Sequence, residues 1–229
     1  TRNDAHKLIE ECMLLANVAA AEYSLEHDIP MLYRVHEAPE FSRIQKVRDF
    51  VKLLGLPFPE QPTQADYQAV IEATKDRLDA PSIHAVLLRS MMQAYYGANN
   101  AGHYGLAYEA YTHFTSPIRR YPDLLLHRAI KAYLDKKAYP LSGAALDDAG
   151  EHFSQTERRA DEASRSVTTW LKCHYMQQHL GDEFVGIISA VTEFGLFVTL
   201  KDLYVDGMIH VSQLGEDFFL YDQASQSLI

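Results

Sequence analysis

This 229-residue chain has no run of about 18 apolar residues, so no membrane-spanning helix is expected. Cysteine is scarce: Cys12 and Cys173 stand far apart in helix-like stretches, without paired spacing. That excludes a disulfide scaffold and a zinc ribbon, and it reads as a reduced, cytoplasmic setting. No basic-then-apolar leader follows Thr1, and no internal repeat or low-complexity segment is present. Positive charge is also short, with 21 Lys and Arg against 31 Asp and Glu, a net charge of −10. Taken alone, that balance argues against a nucleic-acid binder. The cations that exist gather locally. Between 117 and 140, Arg119, Arg120, Arg128, Lys131, Lys136 and Lys137 face only Asp123 and Asp135. An apolar share of 47% with 23% charged residues is that of a folded protein, in one large domain or two smaller ones.

The first 180 residues read mostly as helices. Leu8, Cys12, Leu15 and Ala19 recur at helical spacing, and Ala16, Ala20 and Ala21 leave room for a close neighbour. Ile44, Val47, Val51 and Leu54 mark a second helix, stopped by Gly55. Thr63 with Asp66 forms a capping pair for a third, and Pro81 opens a fourth that runs toward Gly97. Leu106, Tyr108, Ala110, Thr112 and Phe114 alternate as a strand or extended loop would. A short turn at 117–121 and a helix from Pro122 to about Lys137 follow, with Ser116 as a cap. From about Ala145 to Leu180 one helical pattern could reach roughly 50 Å. After Gly181 the texture changes to short β segments, at 185–191, 195–200 and 207–211. The expected boundary is there, giving domains at 1–180 and 181–229.

The densest chemistry lies in Thr115-Ser116-Pro117-Ile118-Arg119-Arg120-Tyr121-Pro122-Asp123, followed by His127-Arg128. Free N–H groups at a helix opening favour an anion, and two guanidiniums there can grip phosphate oxygens. Tyr121, with Tyr104, Tyr108, Tyr111, His113 and Phe114 upstream, offers faces on which bases could stack. The bland alternative is an arginine pair on a solvated helix start, with the tyrosines in the core.

This nonapeptide, with Gly102-His103-Tyr104-Gly105-Leu106 before it, resembles the carboxyl half of the ribonuclease II/ribonuclease R (RNB) catalytic domain, nearer the ribonuclease R branch. The likeness extends back to Glu10-Glu11-Cys12-Met13-Leu14-Leu15-Ala16-Asn17 and to Arg34-Val35-His36, and forward through Glu157-Arg158-Arg159 and Trp170-Leu171. The resemblance implies a hydrolytic, processive 3′-to-5′ exoribonuclease that releases 5′-nucleotides. It implies that Arg119 is catalytic, holding the scissile phosphate, and that Arg120 and Tyr121 bind RNA. Glu11 is the implied reader of a ribose 2′-OH, with Glu10 as its rival. Arg34 and His36 read as structural, and Glu157 with Arg158 and Arg159 as a solvated ion-pair face. The family's hydrolysis uses Mg²⁺ held by an aspartate cluster. Asp147-Asp148 and the pair Asp202 and Asp206 do not resemble it, so the ligands are expected outside this chain and the chain alone is expected to be inactive.

In the β segments, Phe184 to Ile188, Phe194 to Val198 and Gly207 to Ser212 resemble the start of an OB-fold RNA-binding domain of the ribosomal S-one type. Alternation sends Val198 and Ile209 inward and Phe197 and His210 outward. Phe194, Phe197 and His210 match base-stacking positions, at roughly 1–3 kcal/mol per stacked base. An OB barrel takes five strands, and about three are legible here. An unclosed edge would allow a non-native pairing between chains.

The fold class expected is α+β: a helix-rich part of an RNB catalytic domain, then a partial OB barrel. Single-stranded RNA is the expected partner, with no membrane. The alternatives are a non-catalytic RNA-binding module and a protein-interaction piece.

Overall fold

The computed structural model describes residues 3–77, 79–139, 141–215, 219–222 and 227–229. Among the described residues six α-helices dominate: α1 (Asp4–Glu26), α2 (Phe41–Leu53), α3 (Gln64–Thr74), α4 (Ala80–Ser90), α5 (Tyr121–Leu134) and α6 (Ala144–Met176). The strands are β1 (Tyr33–Val35), β2 (Tyr95–Gly97), β3 (Gly186–Thr192), β4 (Gly195–Leu200), β5 (Asp206–His210), β6 (Tyr221–Asp222) and β7 (Ser227–Leu228). The class is α+β. None of the described helices is long and apolar enough to cross a membrane. Contacts divide the chain into two compact units, Thr1–Ala38 with Met92–Glu162, and Pro39–Met91 with Ala163–Ile229. The boundary expected at Gly181 lies inside the second unit.

In the first unit, β1 and β2 pair antiparallel with Arg34 opposite Tyr96. This corrects the expected fourth helix. It ends at Ser90, and Tyr95-Tyr96-Gly97 is a strand, because adjacent aromatics suit a pleated edge that feeds Tyr96 into the core. Ala20, Ala21, Met31 and Leu126 form one core cluster, and Leu32, Tyr96 and Leu146 another. The α1 stripe needs correction too. Leu8 and Leu15 are 64% and 70% exposed, while Asn17, Ala20, Ala21 and Ser24 are the buried face. Small residues let neighbouring backbone close on that face, so size rather than hydropathy marks it.

Helix α6 meets β2 through Gly150 and Ser154. Ser154 Oγ accepts the Tyr96 N–H at 2.8 Å and donates to the Gly150 carbonyl at 2.8 Å. A Cβ on Gly150 would lie 2.7 Å from the Tyr96 carbonyl oxygen and 3.1 Å from Leu32 Cδ2. Beyond residue 160 the same helix exposes Val167, Trp170 and Leu171.

The alternating run 106–114 is an irregular loop rather than a strand. A 3₁₀ turn at Tyr104–Leu106 interrupts it, and only single bridges join it to neighbours, such as Thr112 opposite Tyr33. Its aromatics are packed. The Tyr96 hydroxyl lies 2.9 Å from His113 Nδ1, and Phe114 stacks on His127 with ring centroids 4.1 Å apart. Burial, then the positive fields of Arg120 and Arg34, hold the His113 imidazole down at about 3. Burial and the neighbouring His36 hold His103 down at about 4.

In the second unit, Val47, Val51, Tyr67, Val70, Ile83 and Leu87 form the interior of α2, α3 and α4. The Thr63–Asp66 capping box is present as expected, which also holds the Asp66 carboxyl below its usual range. Helix α4 packs on β3, with Ser82 Oγ donating to the Ile188 carbonyl at 3.2 Å. Strands β3, β4 and β5 form one antiparallel sheet in that order, and β6 pairs antiparallel with β7, a pairing the sequence did not reveal.

Two outcomes test this packing. Gly150→Ala would ordinarily stabilise a helix interior by up to about 1 kcal/mol. Here thermal denaturation should show a lower melting temperature, and a rise would contradict the α6–β2 contact. Second, His103 and His113 stay neutral in the fold, while the unfolded chain takes up their protons below about pH 6.5. Stability should therefore be complete above that pH and decline as it falls toward 4 and then 3. The acid limb, followed by circular dichroism, should be shallower in His113→Gln.

Candidate nucleic-acid interface

The segment 111–120 carries no regular structure, yet four anchors hold it. The Arg34 N–H donates to the Tyr111 carbonyl at 2.8 Å. Asn17, buried on α1, accepts the N–H groups of Phe114 and Thr115 at 2.9 and 3.2 Å and donates to the Tyr111 hydroxyl at 2.9 Å. His127 Nε2 donates to the Phe114 carbonyl at 2.9 Å. Asp123, in the first turn of α5, accepts the Ser116 N–H at 2.7 Å. Asn17 was legible in the sequence only as one letter of a longer string. Its signal is an amide on an otherwise small-residue buried helix face.

Asp123 also accepts from Arg120, through Nη2 at 2.7 Å and Nε at 3.2 Å. The side chains are 0% and 18% exposed, respectively. This changes two expectations. The anion favoured at the helix opening is supplied from within, by Asp123 itself, and Ser116 is not the cap: Arg120 is the N-cap residue and has no side-chain cap bond. Arg120 is therefore a partner of the fold along one edge of its guanidinium. Arg119 is different. It is exposed beside the fully exposed Ile118, and its guanidinium has no hydrogen bond or ion pair among the described residues.

A cavity of about 540 Å³ adjoins this segment, lined by His6, Glu10, Met13, Asn17, Tyr111 and Arg120 among others. Glu10, not Glu11, lines it. Glu11 is exposed on α1 with no side-chain partner among the described residues. Tyr121 is half exposed, with the Arg128 guanidinium 5.7 Å from its ring centroid and hydrogen-bonded to its hydroxyl at 3.1 Å. Tyr111 is buried, and the half-buried Tyr108 and Phe114 pack against Tyr111 and His127. Glu157 is not on a solvated ion-pair face: it binds Arg34 at 2.7 Å, and Arg34 lies 4.7 Å over the Tyr96 ring. Among the described residues no three His, Cys, Asp or Glu side chains come together as a metal site.

The second aromatic group lies on the β3–β4–β5 sheet. The register pairs Gly195 with His210, Leu196 with Ile209 and Phe197 with Met208. Phe197 and His210 thus share one face, and Val198 and Ile209 the other, as the alternation requires. Phe194 and Phe197 meet edge to face with centroids 6.2 Å apart. Gly195 makes this possible: its φ is +150°, and a Cβ there would lie 2.1 Å from the Ile209 carbonyl oxygen. His210 is exposed, with Nδ1 2.9 Å from Ser212 Oγ.

Residues 1–136 match the RNB domain model, and residues 177–228 match the S1 RNA binding domain model. Ribonuclease R of Vibrio parahaemolyticus is 50% identical over 242 residues, covering all of this chain and 29% of that protein. The structure of Mycoplasma genitalium RNase R in complex with ribose methylated single-stranded RNA superposes with a TM-score of 0.90 at 28% identity, over 100% of this chain and 37% of that one. Yeast Ssd1, a pseudonuclease, shares the fold, with a TM-score of 0.82 at 23% identity over 100% of this chain and 29% of that one. The chain thus spans about three tenths of the length of the curated relatives it matches. With the RNB model covering the pinned loop, its arginines and the α1 cavity, this chain belongs to the RNB family.

Proposed function

We propose that this chain is the RNA-holding part of a hydrolytic, processive 3′-to-5′ exoribonuclease. The observation that carries this reading is Arg119, a cation with no partner among the described residues on a loop that four anchors hold. A preorganised guanidinium is suited to a phosphate whose charge grows during cleavage, because it is already in place when that charge develops. Arg120 supports it and lines the α1 cavity together with Glu10, and Glu11, or Glu10 beside it, would accept from a ribose hydroxyl. Phe194, Phe197 and His210 offer base-stacking faces on residues 181–229, and Tyr121 is a further contact. Residues 1–180 would then hold the reacting phosphate, and single-stranded RNA in the cytoplasm would be the partner.

Mg²⁺ chemistry belongs to this reading only through residues outside the chain. The described carboxylates do not gather into the hard-oxygen set such an ion takes. Degradation by the chain alone is therefore not expected, and the RNA-binding role is what it would perform by itself. Binding without cleavage is the second reading, since the described carboxylates form no such set.

Fluorescence anisotropy with a labelled single-stranded oligoribonucleotide tests the reading. The chain should bind, with affinity falling steeply as salt rises. Arg119→Gln should weaken binding about tenfold, the magnitude of one charge-assisted contact of roughly 1.5 kcal/mol or more, without lowering the melting temperature. Asp123→Asn should lower both. In a parallel assay with Mg²⁺, no nucleotides should be released. Wild-type protein that binds no RNA at low salt sinks the proposal, and Mg²⁺-dependent degradation would show that the chain holds its own metal.

A further inference from the structure

The second unit carries cations that the RNB site does not use. In the three-helix segment α2–α4, most basic side chains have a carboxylate partner. Arg48 meets Glu60 at 2.8 Å, Arg77 meets Asp79 at 2.8 Å, and Lys75 meets Glu72. Lys46 and Arg89 have none among the described residues, and both are exposed. Arg43 donates to the Met91 carbonyl at 3.2 Å, and its Nε is 3.9 Å from Glu40. These three residues, Arg43, Lys46 and Arg89, line one cavity of about 270 Å³ between α2 and α4, and no carboxylate lines it. Lys52, also without a partner, lies outside it.

Gathering like charges around a hollow is unfavourable unless an anion shares it. In a chain of net charge −10, Asp49 on α2 and the N-cap residues Glu40 and Asp79 are the carboxylates within reach, and none of them lines this hollow, which marks it as a place for an external anion. Arg89 lines a second hollow as well, of about 250 Å³, where α4 packs on the sheet. There its companions are Ser82, Ser189, Thr199, Lys201 and Tyr204, again with no carboxylate. The cations therefore form a path, Lys46 and Arg43, then Arg89, then Lys201, ending on the sheet that carries Phe197. A single small anion would call for donors around a point. Donors spaced along a path, with hydroxyls and the exposed Tyr204 beside them, suit a chain of phosphates.

We propose that the path from the α2–α4 cavity to Lys201 is a second RNA-backbone site, holding phosphates of the strand that the β3–β4–β5 sheet binds. It rests on the RNA-binding reading above, and adds to it a contact surface separate from the Arg119 loop. The sugar–phosphate backbone is the ligand, so the site is indifferent to sequence.

The test uses the whole chain and a labelled oligouridylate of about 16 nucleotides, long enough to extend beyond one OB-type site. Affinity is measured by anisotropy across roughly 50–200 mM salt, for wild type, the Lys46→Gln/Arg89→Gln double variant and Arg119→Gln. Each single-strand phosphate contact contributes about 0.7 to the slope of log affinity against log salt. The double variant should flatten that slope by about 1.4 while its melting curve matches wild type. The Lys46→Gln/Lys201→Gln variant, at the two ends of the path, should flatten it equally without touching α4. An unchanged slope in both double variants, with Arg119→Gln still weakened, overturns this inference and leaves the RNA-binding reading standing. Wild-type protein that binds no RNA at any salt overturns both.

Discussion

A carboxylate wholly removed from solvent, Asp123, sets the geometry on which the site depends. It sits at the third position of α5, where the helix dipole favours negative charge, and it holds both the Ser116 N–H and the Arg120 guanidinium. Breaking one partner of such a pair costs about 3–5 kcal/mol, because a charge is left buried without compensation. The loop before α5 therefore cannot drift far from the helix. Asn17 and His127 then fix its upstream half from α1 and α5.

This arrangement divides two adjacent arginines by role. Arg120 turns inward to its carboxylate, and Arg119 is exposed with no partner among the described residues. The same logic applies to the basic residues of α2–α4, where Arg48 and Arg77 are paired with carboxylates while Lys46 and Arg89, without a partner among the described residues, line one cavity. A net charge of −10 is thus compatible with RNA recognition, since the cations that would meet RNA are gathered locally.

Much of this was legible in the sequence, wherever the signal was local. The Thr63–Asp66 capping box, the stop of α2 before Gly55, and the alternation that puts Phe197 and His210 on one face depend on near neighbours alone. The Arg119 motif was legible because several unusual residues are fixed at one spacing. What was not legible depends on distant partners. Asn17 lies 97 residues from Phe114, and Arg34 lies 123 residues from Glu157. The buried face of α1 is built from alanine, serine and asparagine, so the apolar stripe of Leu8 and Leu15 pointed to the wrong side. The aromatics near 104–114 were ambiguous between base stacking and core; Tyr111 is buried and Phe114 packs on His127, contacts that spacing alone does not show. Glu10 and Glu11 could not be separated by spacing; in the fold Glu10 lines the cavity beside the loop and Glu11 does not.

The central claim is that Arg119 is free for RNA and Arg120 is bound into the fold. Nitrogen-15 NMR of the arginine Nε–H groups, with a short oligoribonucleotide titrated into the chain, tests it most directly. The account predicts that the Arg119 resonance shifts on binding, while the Arg120 Nε–H stays protected from solvent exchange by Asp123 before and after. A shift confined to Arg120, with Arg119 unmoved, would contradict it.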